Sequence, residues 1–387
     1  MLYSTDRILT THAGSLPRPA DLRETVVART DGQPFDAAAL DRRLSAAVAE
    51  VVKQQLDCGL DIVNDGELSK FNFTDYVRER IAGYELRPSS GRRRLSIIAR
   101  DERKFAGYFA TNPRTQSLGP PTMPVCVAPL RYIGHADLKN DIGKFNAALA
   151  GASPTGAFLP ANSPGTIEHW MANEYYKTDE EFVFAIAEAM HEEYQAIVEA
   201  GFLLQIDDPR LITHYNRTPG MTIEECRKFI ALRVEAVNHA LRGIPPDRVR
   251  FHTCYSVNIA PRVHDFELKH FVDLMLRVNA GAYVIEAANP RHEHEWVVWR
   301  DVKLPDDKIL VPGVVSHCIH LVEHPELVAQ RIARFADVVG RERVIAGTDC
   351  GFGTSGAGDE VHPEVAWAKL RALVDGARLA GQRLWSA

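Results

Sequence analysis

The sequence predicts an α/β fold in which eight strand–helix units close into one parallel barrel, with an insertion after the second strand. Short apolar runs alternate with amphipathic segments along most of the chain, which is typical of parallel strands joined by helices. Nine apolar runs are candidate strands, and eight remain when a proline-interrupted run is placed at an edge. Residue types that carry chemistry follow seven of the eight strands, whereas a doubly wound sheet would collect them from fewer. We therefore predict a (β/α)8, or TIM, barrel whose catalytic face lies at the strands' C-terminal ends.

The predicted barrel strands are short and apolar, as expected for parallel strands that are covered on both faces. In chain order they are 8–12, 60–67, 157–160, 202–209, 249–254, 282–286, 309–315 and 344–351. The ninth run, 124–132, contains prolines that cannot donate to a central ladder, so we place it outside the barrel.

Amphipathic helices are predicted between these strands, at 36–58, 178–200, 222–243, 265–279, 325–339 and 362–378. Thr178 and Thr222 are predicted N-caps, because each is followed three residues later by a glutamate. Residues 68–120 break the alternation, and we expect an insertion over 68–150 that lies partly outside the barrel. The whole chain, 1–387, is expected to form one catalytic domain.

Composition and charge argue against several classes of protein. The chain has 387 residues, of which 45% are hydrophobic and 25% charged, which is enough to bury a substantial core. A net charge of −6 argues against a nucleic-acid partner. No apolar run is long enough to span a membrane and the start does not resemble a signal peptide, so we expect a cytoplasmic protein. Six cysteines in a chain of this length favour reduced thiols over a disulfide framework.

Three strand ends carry candidate metal ligands. His252 and Cys254 are two residues apart, so in a strand both side chains point to the same side. Cys350 follows the last strand between an aspartate and a glycine, and Glu286 ends another strand. Imidazole and thiolate ligands favour Zn²⁺ over magnesium or calcium, so we predict a zinc site made of these four residues. The alternative is that both cysteines are buried as small hydrophobic residues.

A zinc ion with two thiolate ligands is poorly suited to activating water. It suits binding a substrate thiol and lowering the thiol's pKa, and a carboxylate ligand can yield to the incoming sulfur. The site therefore predicts a transferase that alkylates a small thiol, with an alkyl donor as the second small-molecule partner.

Other polar residues at the same face are predicted to bind the substrate. Glu67 and Asp207 are candidates for binding an ammonium group, and Asp207 is also a candidate catalytic residue. For each acid the alternative is a helix cap or a loop position. Gly14 and Ser15 form a loop whose N–H groups and hydroxyl suit a carboxylate or sulfonate.

Several ring side chains complete the predicted site. His317 is a candidate proton donor to the leaving group, with a structural histidine as the alternative. His12 is expected in the wall of the site, and Trp170 either stacks on a flat substrate or packs as an ordinary aromatic residue. His292 and His294 resemble a second metal motif, but their polar surroundings favour a solvated loop.

The order of these motifs resembles the C-terminal catalytic barrel of cobalamin-independent methionine synthase and its single-barrel relatives. The matching segments are 10–17, 66–67, 164–166, 205–209, 252–255, 284–286, 312–315 and 349–353. The resemblance covers the chain except for about residues 68–150. It implies a zinc ion on His252, Cys254, Glu286 and Cys350, which the thiol substrate joins. It also implies that Glu67 and Asp207 bind the substrate ammonium group, and that Gly14 and Ser15 bind its carboxylate.

The resemblance implies methyl transfer to homocysteine or a similar thiol, in methionine biosynthesis, from a donor such as 5-methyltetrahydrofolate. The family's usual Asp-Glu-Pro is Asp207-Asp208-Pro209 here. A similar single-barrel family, epoxyalkane:coenzyme M transferase, adds a thiol to an epoxide, and this alternative stays open. A non-catalytic zinc- or thiol-binding protein is a further alternative. The sequence also leaves open whether the chain assembles into a homo-oligomer.

Overall fold

A parallel sheet of eight strands curls into the core of the protein. The computed structural model describes residues 1–30, 32–73, 75–88, 97–112, 122–256, 260–353 and 361–386. The strands within these ranges are β1 (Leu9–Thr10), β2 (Ile62–Val63), β3 (Ile81–Pro88), β4 (Thr122–Tyr132), β5 (Gly156–Asn162), β6 (Ala172–Asn173), β7 (Leu203–Asp207), β8 (Val249–Thr253), β9 (Ala282–Ile285), β10 (Ile309–Val315) and β11 (Ile345–Thr348).

The eight-stranded sheet has the order β1-β11-β10-β9-β8-β7-β5-β2, and its neighbouring strands are parallel. Its two outer strands meet through Asp61, whose N–H donates to the Thr10 carbonyl at 3.2 Å. The Asp61 carboxylate accepts from the N–H of Thr10 at 2.8 Å and from its hydroxyl at 2.9 Å. These bonds bring the two ends of the sheet together and confirm the predicted (β/α)8 fold.

Helices surround this sheet. They are α1 (Ala20–Thr30), α2 (Ala37–Cys58), α3 (Ala99–Lys104), α4 (Ala106–Thr111), α5 (His135–Leu149), α6 (Pro164–Trp170), α7 (Asp179–Glu199), α8 (Arg210–Arg217), α9 (Ile223–Ala240), α10 (Val272–Met275), α11 (Pro325–Val339) and α12 (Pro363–Trp385). The helix predicted at 265–279 is reduced to a 3-10 turn at Leu268–His270 followed by α10. No helix in the described ranges is both long and apolar enough to cross a membrane.

The two predicted N-caps differ in detail. Thr222 and Glu225 form a complete capping box at the start of α9, with each side chain bonded to the other residue's backbone. At α7 the Thr178 hydroxyl accepts from the Glu181 N–H at 3.0 Å, but the Glu181 carboxylate accepts from Lys177 N–H instead. The second capping box is therefore only half formed.

The interior of the barrel is apolar toward the N-terminal ends of the strands and polar toward their C-terminal ends. Strand residues form a separate hydrophobic cluster there: Leu9, Ile62, Phe158, Leu203, Ala282, Val284, Ile309, Val311 and Ile345. Strand β8 contributes Arg250, whose guanidinium carbon lies 4.0 Å from the centre of the Phe158 ring. The same guanidinium donates to the Thr11 hydroxyl and the His12 carbonyl, both at 3.0 Å. The polar level begins at this arginine and leads up to the catalytic face.

The insertion after β2 builds a second, smaller sheet. Strand β4 pairs with β3 in antiparallel fashion and with β6 in parallel fashion, so the run 124–132 lies outside the barrel as predicted. Strand β3 was not predicted, and most of its positions are partly or fully exposed, which leaves little hydrophobic signal. The Arg-rich run at 88–94 lies almost entirely outside the described residues.

A buried charged cluster joins this insertion to the barrel helix α7. Glu193 accepts hydrogen bonds from the hydroxyls of Tyr76 at 3.0 Å and Tyr132 at 2.8 Å. Arg80 lies 3.2 Å from the same carboxylate and also pairs with Asp141 of α5. Every ionised group in this cluster has an opposite charge in contact, which is the condition for burying it without a large penalty.

We predict that Glu193→Leu lowers the free energy of unfolding by about 3–5 kcal/mol, because it leaves Arg80 and two tyrosine hydroxyls without their shared acceptor. Glu188→Ala is the matched control on the same helix, since Glu188 makes only exposed pairs with His239 and Arg242. The control should change stability by less than about 1 kcal/mol. Urea unfolding followed by circular dichroism measures both, and equal effects would contradict the anchoring role of Glu193.

Candidate active site

Three of the predicted metal ligands meet at the C-terminal ends of β8 and β11. One ligand atom from each of His252, Cys254 and Cys350 lies within 4.8 Å of the other two, and all three residues are buried. The two sulfur atoms are 3.4 Å apart. Two thiolates on one tetrahedral zinc ion lie about 3.8 Å apart, given metal–sulfur bonds of about 2.3 Å. His252 Nε2 is buried without a hydrogen-bond partner in the structure. The donor set therefore fits a tetrahedral N/S-binding metal ion.

Asp207 orients the histidine of this group. The Nδ1–H of His252 donates to Asp207 Oδ1 at 2.8 Å, which leaves Nε2 as the nitrogen available to a metal ion. Gln205 Nε2 donates to the same carboxylate oxygen at 2.8 Å and to the Ala13 carbonyl at 2.6 Å. The ring is therefore held by a carboxylate that is itself fixed to the barrel.

The three side chains also shift one another's proton affinity. The hydrogen bond from Cys350 holds the pKa of the Cys254 thiol well below its usual value, and His252 adds to this effect. The same contact raises the pKa of the Cys350 thiol well above its usual value. Burial lowers the pKa of His252, but the hydrogen bond to Asp207 and the nearby Cys254 thiolate outweigh burial and raise it to about 10. Protons must leave these groups for a metal ion to bind, so affinity should rise with pH.

Glu286, the fourth predicted ligand, lies directly after β9 and outside this three-residue group. Its Oε1 accepts from the Tyr255 N–H at 2.6 Å, and its Oε2 accepts from the side-chain amide of Asn289. Burial raises the pKa of Glu286 well above its usual value, and the nearby Cys254 charge acts in the same direction. The carboxylate is thus close to the cysteines, and its role as a ligand stays a prediction.

A cleft opens beside this group of His252, Cys254 and Cys350. Its lining includes Ser15, Glu67 and Asp207, which were predicted to bind substrate, and His252, Cys254 and Cys350. It also includes Phe73, Arg210 and Ser256, which were not predicted. A small molecule in this cleft would therefore meet thiols, carboxylates and a guanidinium together.

Glu67 occupies this cleft in an unusual backbone conformation. It has a φ of 56°, in the left-handed region, and Lys70 Nζ lies 3.4 Å from its carboxylate. Burial raises the pKa of Glu67 to about 7, although Lys70 opposes this shift. A Cβ atom on Gly14 would lie 2.6 Å from Glu67 Oε1, so only glycine at position 14 permits this close approach.

The Gly14 loop differs from what we expected of a carboxylate-binding loop. The Gly14 N–H donates to His12 Nδ1 at 3.3 Å, and His12 Nε2 bonds to Gln55 Oε1 at 2.8 Å. Burial lowers the pKa of His12 to about 4, so the ring is neutral at pH 7. His12 therefore lies behind the cleft and supports the loop, and does not form the surface that we expected.

His317 is also buried behind the cleft. Its Nε2 lies 3.3 Å from the Ser256 carbonyl and 3.0 Å from the Cys318 sulfur. Burial lowers the pKa of His317 to about 3, so it carries no ready proton at pH 7. Cys318, which we did not single out from the sequence, is less deeply buried than His317.

The histidines that resembled a second metal motif separate in the structure. His294 is exposed as expected, but His292 is buried, which corrects the solvated-loop prediction. Its ring stacks on Tyr255 with centroids 3.6 Å apart and lies 2.9 Å from Glu295 and 3.3 Å from Asp265. Burial lowers the pKa of His292, but the two carboxylates raise it to about 9. The charged ring supports the backbone directly after Cys254, one of the predicted metal ligands.

Trp170 ends α6 and is partly buried. The guanidinium carbon of Arg210 lies 4.5 Å from the centre of a Trp170 ring. The indole of Trp170 thus contacts the guanidinium of Arg210, and stacking of the indole on a flat substrate stays a prediction.

The fold and the site define the protein as a TIM barrel with a buried His/Cys cluster at its catalytic face that could hold a metal ion. Residues 159–378 match the family described as the cobalamin-independent synthase catalytic domain, and the chain belongs to this family. Family membership indicates a methyltransferase.

Individual methionine synthases match this sequence along nearly its whole length. Methionine synthase from Saccharolobus islandicus (strain Y.N.15.51 / Yellowstone #2) is 26% identical over 97% of this chain and 95% of its own length. Methionine synthase from Sulfurisphaera tokodaii is 25% identical over 97% of this chain and 93% of its own length. The structure of a B12-independent methionine synthase from Shewanella sp. W3-18-1, in complex with selenomethionine, superposes with a TM-score of 0.70. It is 19% identical, and the match covers 98% of this chain and all of that one, which supports the shared fold.

We predict that Asp207→Asn weakens zinc binding by about 10- to 100-fold, as for other groups that orient a metal-bound histidine. Asparagine keeps an oxygen for His252 Nδ1–H but removes the negative charge that makes the ring a better ligand. Asp208→Asn is the matched control, because Asp208 accepts from Leu211 N–H and the Thr166 hydroxyl. Competition with a chelator measures both affinities, and an unchanged affinity in Asp207→Asn would exclude the orienting role.

We also predict that Asp208 makes stability depend on pH. Burial raises the pKa of Asp208 from 3.8 to about 7. The folded protein therefore keeps a proton that the unfolded chain releases between these values, and the resulting stabilisation is lost as the pH rises toward 7. Over this window wild type should lose up to about 1.4 kcal/mol per pH unit more than Asp208→Asn. Parallel curves of unfolding free energy against pH would contradict this assignment.

Proposed function

We propose that this protein is a zinc-dependent methyltransferase that alkylates the sulfur of a small thiol, with homocysteine or a closely similar amino-acid thiol as acceptor. The observation that carries the proposal is the group of two thiols and one imidazole within 4.8 Å, beside a cleft that also holds Glu67 and Asp207. Membership in the cobalamin-independent synthase family, and relatives named methionine synthase, support the same reaction.

We assign the metal to His252, Cys254 and Cys350, with Glu286 as the fourth ligand. When bound there, zinc lowers the pKa of the substrate thiol and holds it as a nucleophilic thiolate at neutral pH. Soft sulfur and imidazole donors favour this ion over magnesium or calcium. The unpartnered Nε2 of His252 supports the assignment, because a buried polar atom without a partner is costly.

The carboxylates of the cleft are assigned to the ammonium group of the acceptor. Asp207 Oδ1 already accepts from His252 and Gln205, so Oδ2 is the oxygen that we assign to the substrate. Glu67 shares its charge with Lys70, so it is a weaker partner than an unpaired carboxylate. Ser15 lines the same cleft and supplies a hydroxyl near the other end of the substrate.

In the proposed reaction the acceptor sulfur bonds to the methyl carbon while the bond from that carbon to the donor breaks. The donor's leaving atom then needs a proton. His317 was predicted to supply it, but burial lowers its pKa to about 3. We therefore assign His317 to holding Cys318 and the Ser256 backbone, with the proton coming from water or the donor site.

The second candidate function is addition of an anionic thiol such as coenzyme M to an epoxide. Arg210 in the cleft favours it, because a guanidinium binds sulfonate and carboxylate alike. Glu67 and Asp207 oppose it, because they repel a sulfonate that lacks an ammonium group. A non-catalytic zinc protein would bind the metal without turnover.

Zinc K-edge X-ray absorption with added thiols tests the proposal. We expect two sulfur ligands in the resting protein and a third when homocysteine is added, together with methionine formation from a methyl donor. Cys350→Ser should remove one sulfur and abolish turnover. A third sulfur with coenzyme M alone would favour the epoxide reaction. If neither thiol enters the zinc shell, the proposed function is wrong.

A further inference from the structure

We infer that Arg210 binds the anionic end of the acceptor thiol, so that the site selects a thiol carrying both an ammonium and a carboxylate group. This inference rests on the proposed function and deepens it, since it concerns the same cleft. It assigns a recognition role to a residue that the sequence motifs did not indicate.

Arg210 is placed for this role by the turn that follows β7. It is the first residue of α8 and comes three positions after Asp207 at the end of that strand. Both side chains line the cleft, together with Ser15 and the two cysteines. Arg210 is only 7% exposed, so its charge acts in surroundings where water screens it weakly.

Trp170 restricts the guanidinium of Arg210. The guanidinium carbon lies 4.5 Å from the centre of a Trp170 ring, within the range of a cation–π contact. An arginine held in this way presents a planar fork of donors, which matches the two oxygens of a carboxylate better than a lysine does.

One donor of the neighbouring loop is already engaged, which leaves a role for Arg210. The Gly14 N–H, which we had expected to bind the carboxylate, donates to His12 Nδ1. Ser15 offers a hydroxyl but no positive charge. Of the lysines and arginines in the structure's described ranges, Arg210 is the one that lines the same cleft as the two cysteines.

The charges of the cleft then match a zwitterion. Glu67 and Asp207 match the ammonium group, and Arg210 matches the carboxylate. A thiol with only an amine cannot form the ion pair with the guanidinium, and a thiol with only an acid cannot form the ion pairs with the carboxylates. Each loss should weaken binding because a charge-assisted hydrogen bond to the ligand is missing.

Calorimetric titration of the zinc-loaded protein with three thiols tests this inference. They are homocysteine, 3-aminopropane-1-thiol, which lacks the carboxylate, and 4-sulfanylbutanoate, which lacks the amine. Wild type should bind homocysteine at least about tenfold more tightly than either truncated thiol, as expected for a lost charge-assisted hydrogen bond. Arg210→Met should bind homocysteine about 10- to 100-fold more weakly. It should no longer distinguish homocysteine from 3-aminopropane-1-thiol, yet still bind 4-sulfanylbutanoate less well.

Two further variants complete the test, one as a matched control and one that keeps the positive charge. Arg217→Met is the matched control on the same helix, because Arg217 contacts His169 and does not line the cleft. It should behave as wild type. Arg210→Lys keeps the charge without the fork and should show an intermediate loss, and it serves if Arg210→Met fails to hold zinc. If an Arg210 variant discriminates against 3-aminopropane-1-thiol as strongly as wild type does, the inference is wrong. If wild type binds none of the thiols, the proposed function itself is wrong.

Discussion

The hydrogen bond between Asp207 and His252 is the contact on which the site depends most. It fixes which nitrogen of the imidazole faces the two cysteines, and the same carboxylate oxygen is held by Gln205. Gln205 reaches across the barrel to the Ala13 carbonyl, so β7 and the loop after β1 share one network. The cluster of His252 and the two cysteines and the loop beside the cleft therefore have a common anchor in Asp207 and Gln205.

Charged groups at successive levels along the barrel axis support the contact between Asp207 and His252. Arg250 lies inside the barrel, and burial lowers its pKa to about 9, so it is still charged at pH 7 and interacts with Asp207. At the next level are the cysteines and Glu286, which become negatively charged ligands when a divalent cation displaces their protons. On the far side, the charged His292 ring supports Tyr255 directly after Cys254. Opposite charges thus alternate from the barrel interior to the cleft, which lets many ionisable groups stay buried.

The parts of the fold and site that follow from local pattern could be predicted. Buried parallel strands appear in a sequence as short apolar runs, and these runs predict the eight strands of the barrel. The i, i+2 spacing likewise predicts that the side chains of His252 and Cys254 lie on the same side of their strand. What depends on distant partners could not be predicted. His292 is buried only because Asp265 and Glu295 pair with it, and nothing in a polar run reveals those partners. Likewise, the cleft-facing position of Arg210 depends on how the short helix α8 packs against Trp170.

A crystal structure of the zinc-loaded protein with homocysteine would test the central claim most directly. We predict one zinc ion on His252, Cys254 and Cys350, with the homocysteine sulfur about 2.3 Å from it. The ammonium group should lie between Glu67 and Asp207, and the carboxylate should lie against Arg210. Zinc bound elsewhere, or homocysteine bound with its sulfur away from the metal, would contradict the account.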